Sequence, residues 1–286
     1  MHSCAIDEIN DLYCWGNNGN GQLGKGHNSS TIANATPALP SNHSTLQSQG
    51  GTAKVATGSY HTCALTFSGN IFCWGANGSG QLGNGNTISH YDPRPINTSG
   101  VPVADRTFVD ISTNSSSTCA VTSTGKAYCW GGNQFGKLGN RVNNTGNMPR
   151  PAQVQTDYIF TGVISTGEKP TCAVATHPTN NSNSVICWGE NSVGQLGVGT
   201  VSGPVFDPTP IPELSSGLPG THTDDYRKVT SVSSGRYFNC AVIENGETFC
   251  WGMGVDGRLG NGDTVDQRSP VRVKMDNNLG AAQWVY

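Results

Sequence analysis

Ten cysteines are the most reactive side chains of this 286-residue chain. They fall into local pairs: Cys4 with Cys14, Cys63 with Cys73, Cys119 with Cys129, Cys172 with Cys187, and Cys240 with Cys250. Nine residues separate the members of four pairs, and fourteen separate Cys172 from Cys187. Paired thiols can form disulfides, bind a metal or stay reduced in a core. Zinc sites favour close pairs such as Cys-x-x-Cys, which this chain lacks. An even set with none left over suits a disulfide framework. Each bridge would close a loop of about eleven residues, worth roughly 2–3 kcal/mol in the chain-entropy model. If the bridges form, the protein resides outside the reducing cytosol, in a secreted or cell-surface setting.

Other chemistry is sparse. His2, His27, His43, His61, His90, His177 and His222 are scattered, and none pairs with Cys or Ser in a nucleophile motif. Carboxylates cluster only at Asp7-Glu8 and Asp224-Asp225, which read as solvated turns. The Gly-rich stretches have no helix after them and do not read as phosphate loops. The expectation is a non-enzyme with no metal and no cofactor. Glycosylation sequons stand at Asn28, Asn34, Asn42, Asn77, Asn97, Asn114, Asn143 and Asn180. Asn77 is the doubtful acceptor, because it occupies a repeated turn position where its amide would bond to the backbone.

The cysteines belong to a repeat. Cys-Trp-Gly recurs with its Trp at Trp15, Trp74, Trp130, Trp188 and Trp251, at spacings of 59, 56, 58 and 63 residues. A turn-rich segment follows each and ends in Gly-Gln-Leu-Gly, or in Gly136-Lys137-Leu138-Gly139 and Gly257-Arg258-Leu259-Gly260. The two cysteines of a unit flank a turn with Gly69, Gly125, Gly246 or Asn10 six residues after the first. Gly and Asn tolerate the left-handed conformation that a three-residue hairpin with a bulge requires. The cysteines then face each other across an antiparallel hairpin, close enough to bridge. The extra residues between Cys172 and Cys187 are expected to lengthen a loop and leave the strands intact. A leading strand (Val55-Ala-Thr, Val109-Asp-Ile, Val163-Ile-Ser, Val229-Thr-Ser) comes before each of the last four hairpins. A Pro-rich segment supplies a fourth strand. The fold class is all-β, a propeller of four-stranded antiparallel blades with five units visible.

Composition agrees. Charged residues make up 12%, the net charge is −3, and Gly numbers 38. No basic run supports nucleic-acid binding, and no apolar stretch has the length of a membrane span.

The string Gly58-Ser-Tyr-His61-Thr-Cys-Ala-Leu, then Gly69, then Cys73-Trp74-Gly75-Ala-Asn77-Gly-Ser-Gly80-Gln81-Leu82-Gly83, resembles the repeat of the regulator of chromosome condensation family. The resemblance runs over nearly the whole chain. It implies a propeller, usually seven-bladed, in a family of exchange factors for a small GTPase, ubiquitin-ligase modules, a plant ultraviolet photoreceptor and a secreted β-lactamase inhibitor. The paired cysteines resemble the secreted members. The His at position 61 recurs only at His2, the motif Asn becomes Gly254 in the last unit, and Ser59-Tyr60 stand where the photoreceptor carries Trp.

These features predict one propeller domain or propeller fragment over 1–286. Its expected role is an extracellular, non-catalytic scaffold, structural or binding a protein or glycan. The alternatives are an exchange-factor-like regulator of a small GTPase and a secreted enzyme inhibitor. Ala281-Ala-Gln-Trp-Val-Tyr286 reads as one more leading strand, while the first unit starts without one. That mismatch suggests a fragment, a ring closed by its own last strand, or a homo-polymer formed by strand exchange.

Overall fold

The computed structural model describes residues 1–141, 146–214 and 228–274. Two compact units divide the chain: 1–134 with 144–154, and 135–143 with 155–286.

The first unit holds three sheets. One has β1 (His2–Ile6), β2 (Leu12–Asn18) and β3 (Ser29–Ala38), followed by a short helix α1 (His43–Gln47). The next runs β4 (Thr52–Thr57), β5 (His61–Thr66), β6 (Ile71–Gly75) and β7 (His90–Pro95). The third runs β8 (Phe108–Thr113), β9 (Ser117–Thr122), β10 (Ala127–Gly131) and β11 (Met148–Gln153). The second unit holds β12 (Ile159–Thr166), β13 (Pro170–Thr176), β14 (Asn183–Gly189) and β15 (Val205–Pro210). It also holds β16 (Val229–Ser234), β17 (Phe238–Ile243), β18 (Thr248–Gly252) and β19 (Gln267–Arg272). Every sheet is an antiparallel meander in sequence order. The architecture is all-β, built of propeller blades. The first sheet has three strands among the described residues, with no leading strand beside β1. The strand expected at 281–286 lies outside the described residues.

Local sequence explains each blade. The hairpin turn is a type I turn closed by a left-handed residue: Gly69 N–H donates to Thr66 O (2.9 Å), and Thr66 N–H to Asn70 O (2.9 Å). Gly69, Gly125, Gly246 and Asn10 all have positive φ, from 67° to 84°. This register sets Cys63 opposite Cys73, and likewise in every unit. The Cα atoms lie 4.1–4.2 Å apart, and all five disulfides are present. The prolines at 93, 95, 149, 151, 208 and 210 sit on β7, β11 and β15, the last strands of three sheets, an edge where a missing N–H breaks no ladder. The insertion in the fourth unit does more than lengthen a loop. Ala175 pairs with Ser184 and Thr176 with Asn183, so part of it extends both strands before the turn.

Cores lie between successive sheets of a unit. Trp74 packs with Leu12, Cys14 and Leu23 of the preceding repeat; Trp130 packs with Cys63, Cys73 and Leu82. In the second unit Trp251 packs with Cys172, Cys187 and Leu196. Trp74, Trp130, Trp188 and Trp251 are fully buried.

Candidate functional site

The most regular polar feature joins each repeat to the next. Trp74 Nε1–H donates to the backbone oxygen of Gln22 (2.9 Å), and Thr62 Oγ1–H donates to the same atom (2.7 Å). Gln81 O receives Trp130 and Thr118, both at 2.9 Å. Lys137 O receives Trp188 (2.8 Å) and Thr171 (3.0 Å). Gln195 O receives Trp251 (3.0 Å) and Asn239 Nδ2 (2.6 Å). One carbonyl, with two lone pairs, thus holds two side chains of the following repeat. The Gly after Leu makes room for the indole: a Cβ on Gly83 would stand 2.7 Å from Trp130 Nε1.

His61 takes part in the same junction. Its Nε2 lies 3.0 Å from Thr118 Oγ1. The Thr118 proton is committed to Gln81 O, so His61 Nε2 is the donor. His2 stands 2.7 Å from Thr62 Oγ1 in the same relation. The partner of His61 belongs to the next sheet.

After four of the five Cys-Trp-Gly motifs the following segment carries a buried Asn: Asn18, Asn77, Asn133 and Asn191. Asn77 Oδ1 accepts from Leu82 N–H, and its amide donates to the carbonyls of Asn86 and Ile88. Asn18 and Asn191 bond in the same way.

The leading strand and the hairpin are joined by a tight tip turn. Gly58 N–H donates to His61 O, Asn114 to Ser117 O, Gly167 to Pro170 O, and Gly235 to Phe238 O. The two central residues of each turn project at the tip. They are Ser59-Tyr60 and Ser115-Ser116 in the first unit, but Glu168-Lys169 and Arg236-Tyr237 in the second. Neighbouring tips touch through backbone: a Cβ on Gly167 would meet Gly235 O at 2.2 Å.

The second unit's tips form a charged and aromatic cluster. Lys169 Nζ lies 3.0 Å from Glu190 Oε2, 3.6 Å from the Phe135 ring centroid and 5.8 Å from that of Tyr237. Arg236 pairs with Glu168 (3.3 Å), and its Cζ lies 5.1 Å from the Tyr237 ring. Such contacts are worth about 0.5–2 kcal/mol each, the larger values where water is excluded.

Phe135 reaches the cluster through an altered turn. In three repeats a Gln side chain caps its own loop: Gln22 Oε1 accepts from Asn20 N–H, Gln81 from Ser79 N–H, and Gln195 from Val193 N–H. Lys137 and Arg258 replace this Gln, and neither side chain can accept. In those two repeats the residue two positions earlier is left-handed, Phe135 at φ 64° and Asp256 at φ 62°, whereas Asn20, Ser79 and Val193 are not. A left-handed non-Gly residue costs roughly 1–2 kcal/mol. Lys137 itself is 2% exposed, and burial lowers its pKa to about 8, with Glu168 opposing and Lys169 reinforcing the shift.

The sequon residues are spread over the loops. Asn28, Asn42 and Asn180 are exposed, and Asn97 is half-buried. Asn77 and Asn114 are buried, with their amides hydrogen-bonded. The side chain of Asn34 and all of Asn143 lie outside the described residues. No group of three or more His, Cys, Asp or Glu able to hold a metal occurs among the described residues. No described helix is long and apolar enough to cross a membrane.

The chain is 28% identical over 92% of its length to the mitochondrial RCC1 domain-containing protein RUG3 of Arabidopsis thaliana, covering 54% of that protein. It is 30% identical over 94% of its length to the E3 ubiquitin-protein ligase HERC2 of Homo sapiens, covering 5% of it. The ultraviolet-B receptor UVR8 of Arabidopsis thaliana is 27% identical over 98% of the chain, which covers 58% of the receptor. Thus the chain spans little more than half of RUG3 and UVR8, and a small part of HERC2. Human WBSCR16 shares the fold with a TM-score of 0.78 at 24% identity, over 96% of this chain and 65% of that one. Yeast RCC1 (Prp20), solved bound to Kap60, aligns with a TM-score of 0.63 at 21% identity, over 97% of this chain and 74% of its own. The RCC1-like domain model matches residues 1–285, and the chain belongs to that family.

Proposed function

We propose that the chain is a non-catalytic binding scaffold of an oxidising, extracellular compartment, and that the tip turns of its second unit hold a protein partner. The observation that carries the compartment is the cysteine inventory. All ten are paired, each pair within its own hairpin, and no free cysteine remains. Structural disulfides of this density persist where thiols are not kept reduced. What supports the binding face is the contrast between the units. The first unit's tips are small or hydroxylic apart from Tyr60, while the second carries Phe135, Glu168, Lys169, Glu190, Arg236 and Tyr237 together. Aromatic and Arg side chains are the anchors that protein interfaces favour. Glycans at Asn28, Asn42, Asn97 and Asn180 fit the same compartment.

Intact mass before and after reduction and deglycosylation, on protein recovered from a secretory host, tests this reading. Expected are two added hydrogens per bridge only after reduction, and a loss of sugar mass on deglycosylation. Free thiols in the unreduced protein overturn the extracellular assignment. For the face, Arg236→Glu is expected to weaken partner binding and Ser115→Glu to leave it unchanged; equal effects overturn it.

A further inference from the structure

Lys169 supplies the chain's own example of a ligand. Its side chain is 17% exposed, and its ammonium lies against the face of Phe135 at 3.6 Å and is paired with Glu190 at 3.0 Å. Tyr237 closes a further side at 5.8 Å. Ser192 Oγ–H donates to the other Glu190 oxygen (2.9 Å) and holds the carboxylate in place. Aromatic faces with a carboxylate are the chemistry that recognises ammonium and methylated ammonium groups. The arrangement is not a by-product of the repeat. It needs the left-handed turn at Phe135, which follows the replacement of the capping Gln by Lys137. The same replacement at Arg258 puts Asp256 rather than a ring at the turn, and Arg258 binds that carboxylate itself (3.0 Å). Only in the Phe135 repeat does the altered turn bring a ring under a cation. A bulky residue held at positive φ marks a place where the surroundings override local preference.

We infer that Phe135, Tyr237 and Glu190 form a recognition pocket for a lysine-type ammonium on a partner protein, and that Lys169 fills it as an internal plug. The inference rests on the reading of these tips as the binding face. A partner's lysine, free or methylated, enters when Lys169 swings out toward solvent. Apparent affinity then scales with the fraction of molecules whose pocket is open. Arg236 and Glu168, paired across the neighbouring tips, lie at the edge of the same cluster and need not move.

Removing the plug tests it. Lys169→Ala and Lys169→Gln are titrated with n-propylammonium and with trimethyllysine at fixed ionic strength, reading melting temperature and heat of binding. n-Propanol serves as the neutral control. With the open fraction of the wild type at roughly a tenth, both variants bind these probes about tenfold more tightly than the wild type. Binding is saturable, is lost when Phe135→Leu or Glu190→Gln is added, and is not reproduced by n-propanol. If folded variants, judged by circular dichroism, bind no tighter than the wild type, or if Phe135→Leu leaves binding intact, the pocket assignment is wrong. If neither Lys169 variant folds, Glu190→Gln decides: unchanged wild-type affinity for the probes overturns the pocket. Loss of partner binding in Arg236→Glu without any ammonium effect would keep the face and remove the pocket.

Discussion

The shared acceptor at each repeat junction predicts a non-additive double-mutant cycle. Gln22 O receives Trp74 Nε1–H and Thr62 Oγ1–H, and all three residues are buried. Trp74→Phe removes one donor, worth about 1 kcal/mol, and leaves unfilled space worth about 1–2 kcal/mol more. Thr62→Val keeps the shape and removes the other donor, at about 1 kcal/mol. Either variant alone leaves the carbonyl one donor. The double variant strips both, and an unsatisfied buried acceptor costs about 1–3 kcal/mol. The double loss therefore exceeds the sum of the singles by about 1–2 kcal/mol. His2 also loses its Thr62 contact, but it does so in both Thr62→Val limbs of the cycle and cancels. Urea unfolding with the disulfides intact, followed by near-ultraviolet circular dichroism, measures the four stabilities. Additivity within about 0.5 kcal/mol, the usual result for independent sites, would refute the shared-acceptor argument.

Other outcomes follow from the same geometry. Gly83→Ala is expected to cost more than about 2 kcal/mol, because the position has φ 67° and its Cβ would press on Trp130; thermal unfolding measures it. Under limiting reductant Cys4–Cys14 opens first, since Cys4 is half-buried while Cys63, Cys119 and Cys172 are fully buried; differential alkylation with mass spectrometry reads the order. Replacing both Cys63 and Cys73 by Ala lowers stability by about 2–3 kcal/mol in urea. Lys137 gives a pH signature. Its folded pKa of about 8 lies below the unfolded value of 10.5, so between these limits the unfolded chain binds the extra proton and stability rises with pH. The stability of Lys137→Gln relative to the wild type is thus largest near pH 7 and shrinks by up to about 3 kcal/mol toward pH 10. A constant difference between pH 7 and pH 10 contradicts the burial of a charged amine.

The blade was legible because its determinants are local. The cysteine spacing and the Gly or Asn six residues on specify hairpin length, turn type and register together, so the pairing Cys63 with Cys73 follows from a short stretch of chain. The Pro-rich segments were readable as fourth strands for the same reason, and the structure places those of β7, β11 and β15 at sheet edges. The junctions were not legible. In the sequence Trp74 and Trp130 serve only to mark the repeat, yet each spends its N–H on a carbonyl 52 or 49 residues earlier. A backbone acceptor leaves no signature in residue type, so no pattern could have named it. The cluster around Lys169 is intermediate. Its tip residues come from separate repeats, and only the fold brings them together. One signal was nevertheless present in the aligned repeats: Lys137 and Arg258 stand where Gln22, Gln81 and Gln195 cap their own loops.

That replacement shows how the fold separates stability from recognition. The clamp on the following Trp uses the main-chain oxygen at positions 22, 81, 137 and 195, which any residue supplies. Trading Gln for Lys at 137 therefore leaves the junction intact; Trp188 still bonds there at 2.8 Å. What changes is the side-chain cap alone. With no acceptor for the Phe135 N–H, the turn adopts another conformation, and a ring that would otherwise sit elsewhere is set beneath Lys169. The tips are free in the same sense. Gly58 and Gly167 hold their turns with one backbone bond each, and the central residues differ without disturbing it, Ser59-Tyr60 in one and Glu168-Lys169 in the other. Repeats held by backbone acceptors can thus diverge at their tips and loops while their cores stay alike, which is the condition a binding scaffold requires. On this argument Lys137→Gln restores a negative φ at Phe135 and parts its ring from Lys169 while the Trp188 junction persists. Aromatic ring-current shifts on the Lys169 side chain would report it, and unchanged shifts would refute the link between cap and turn.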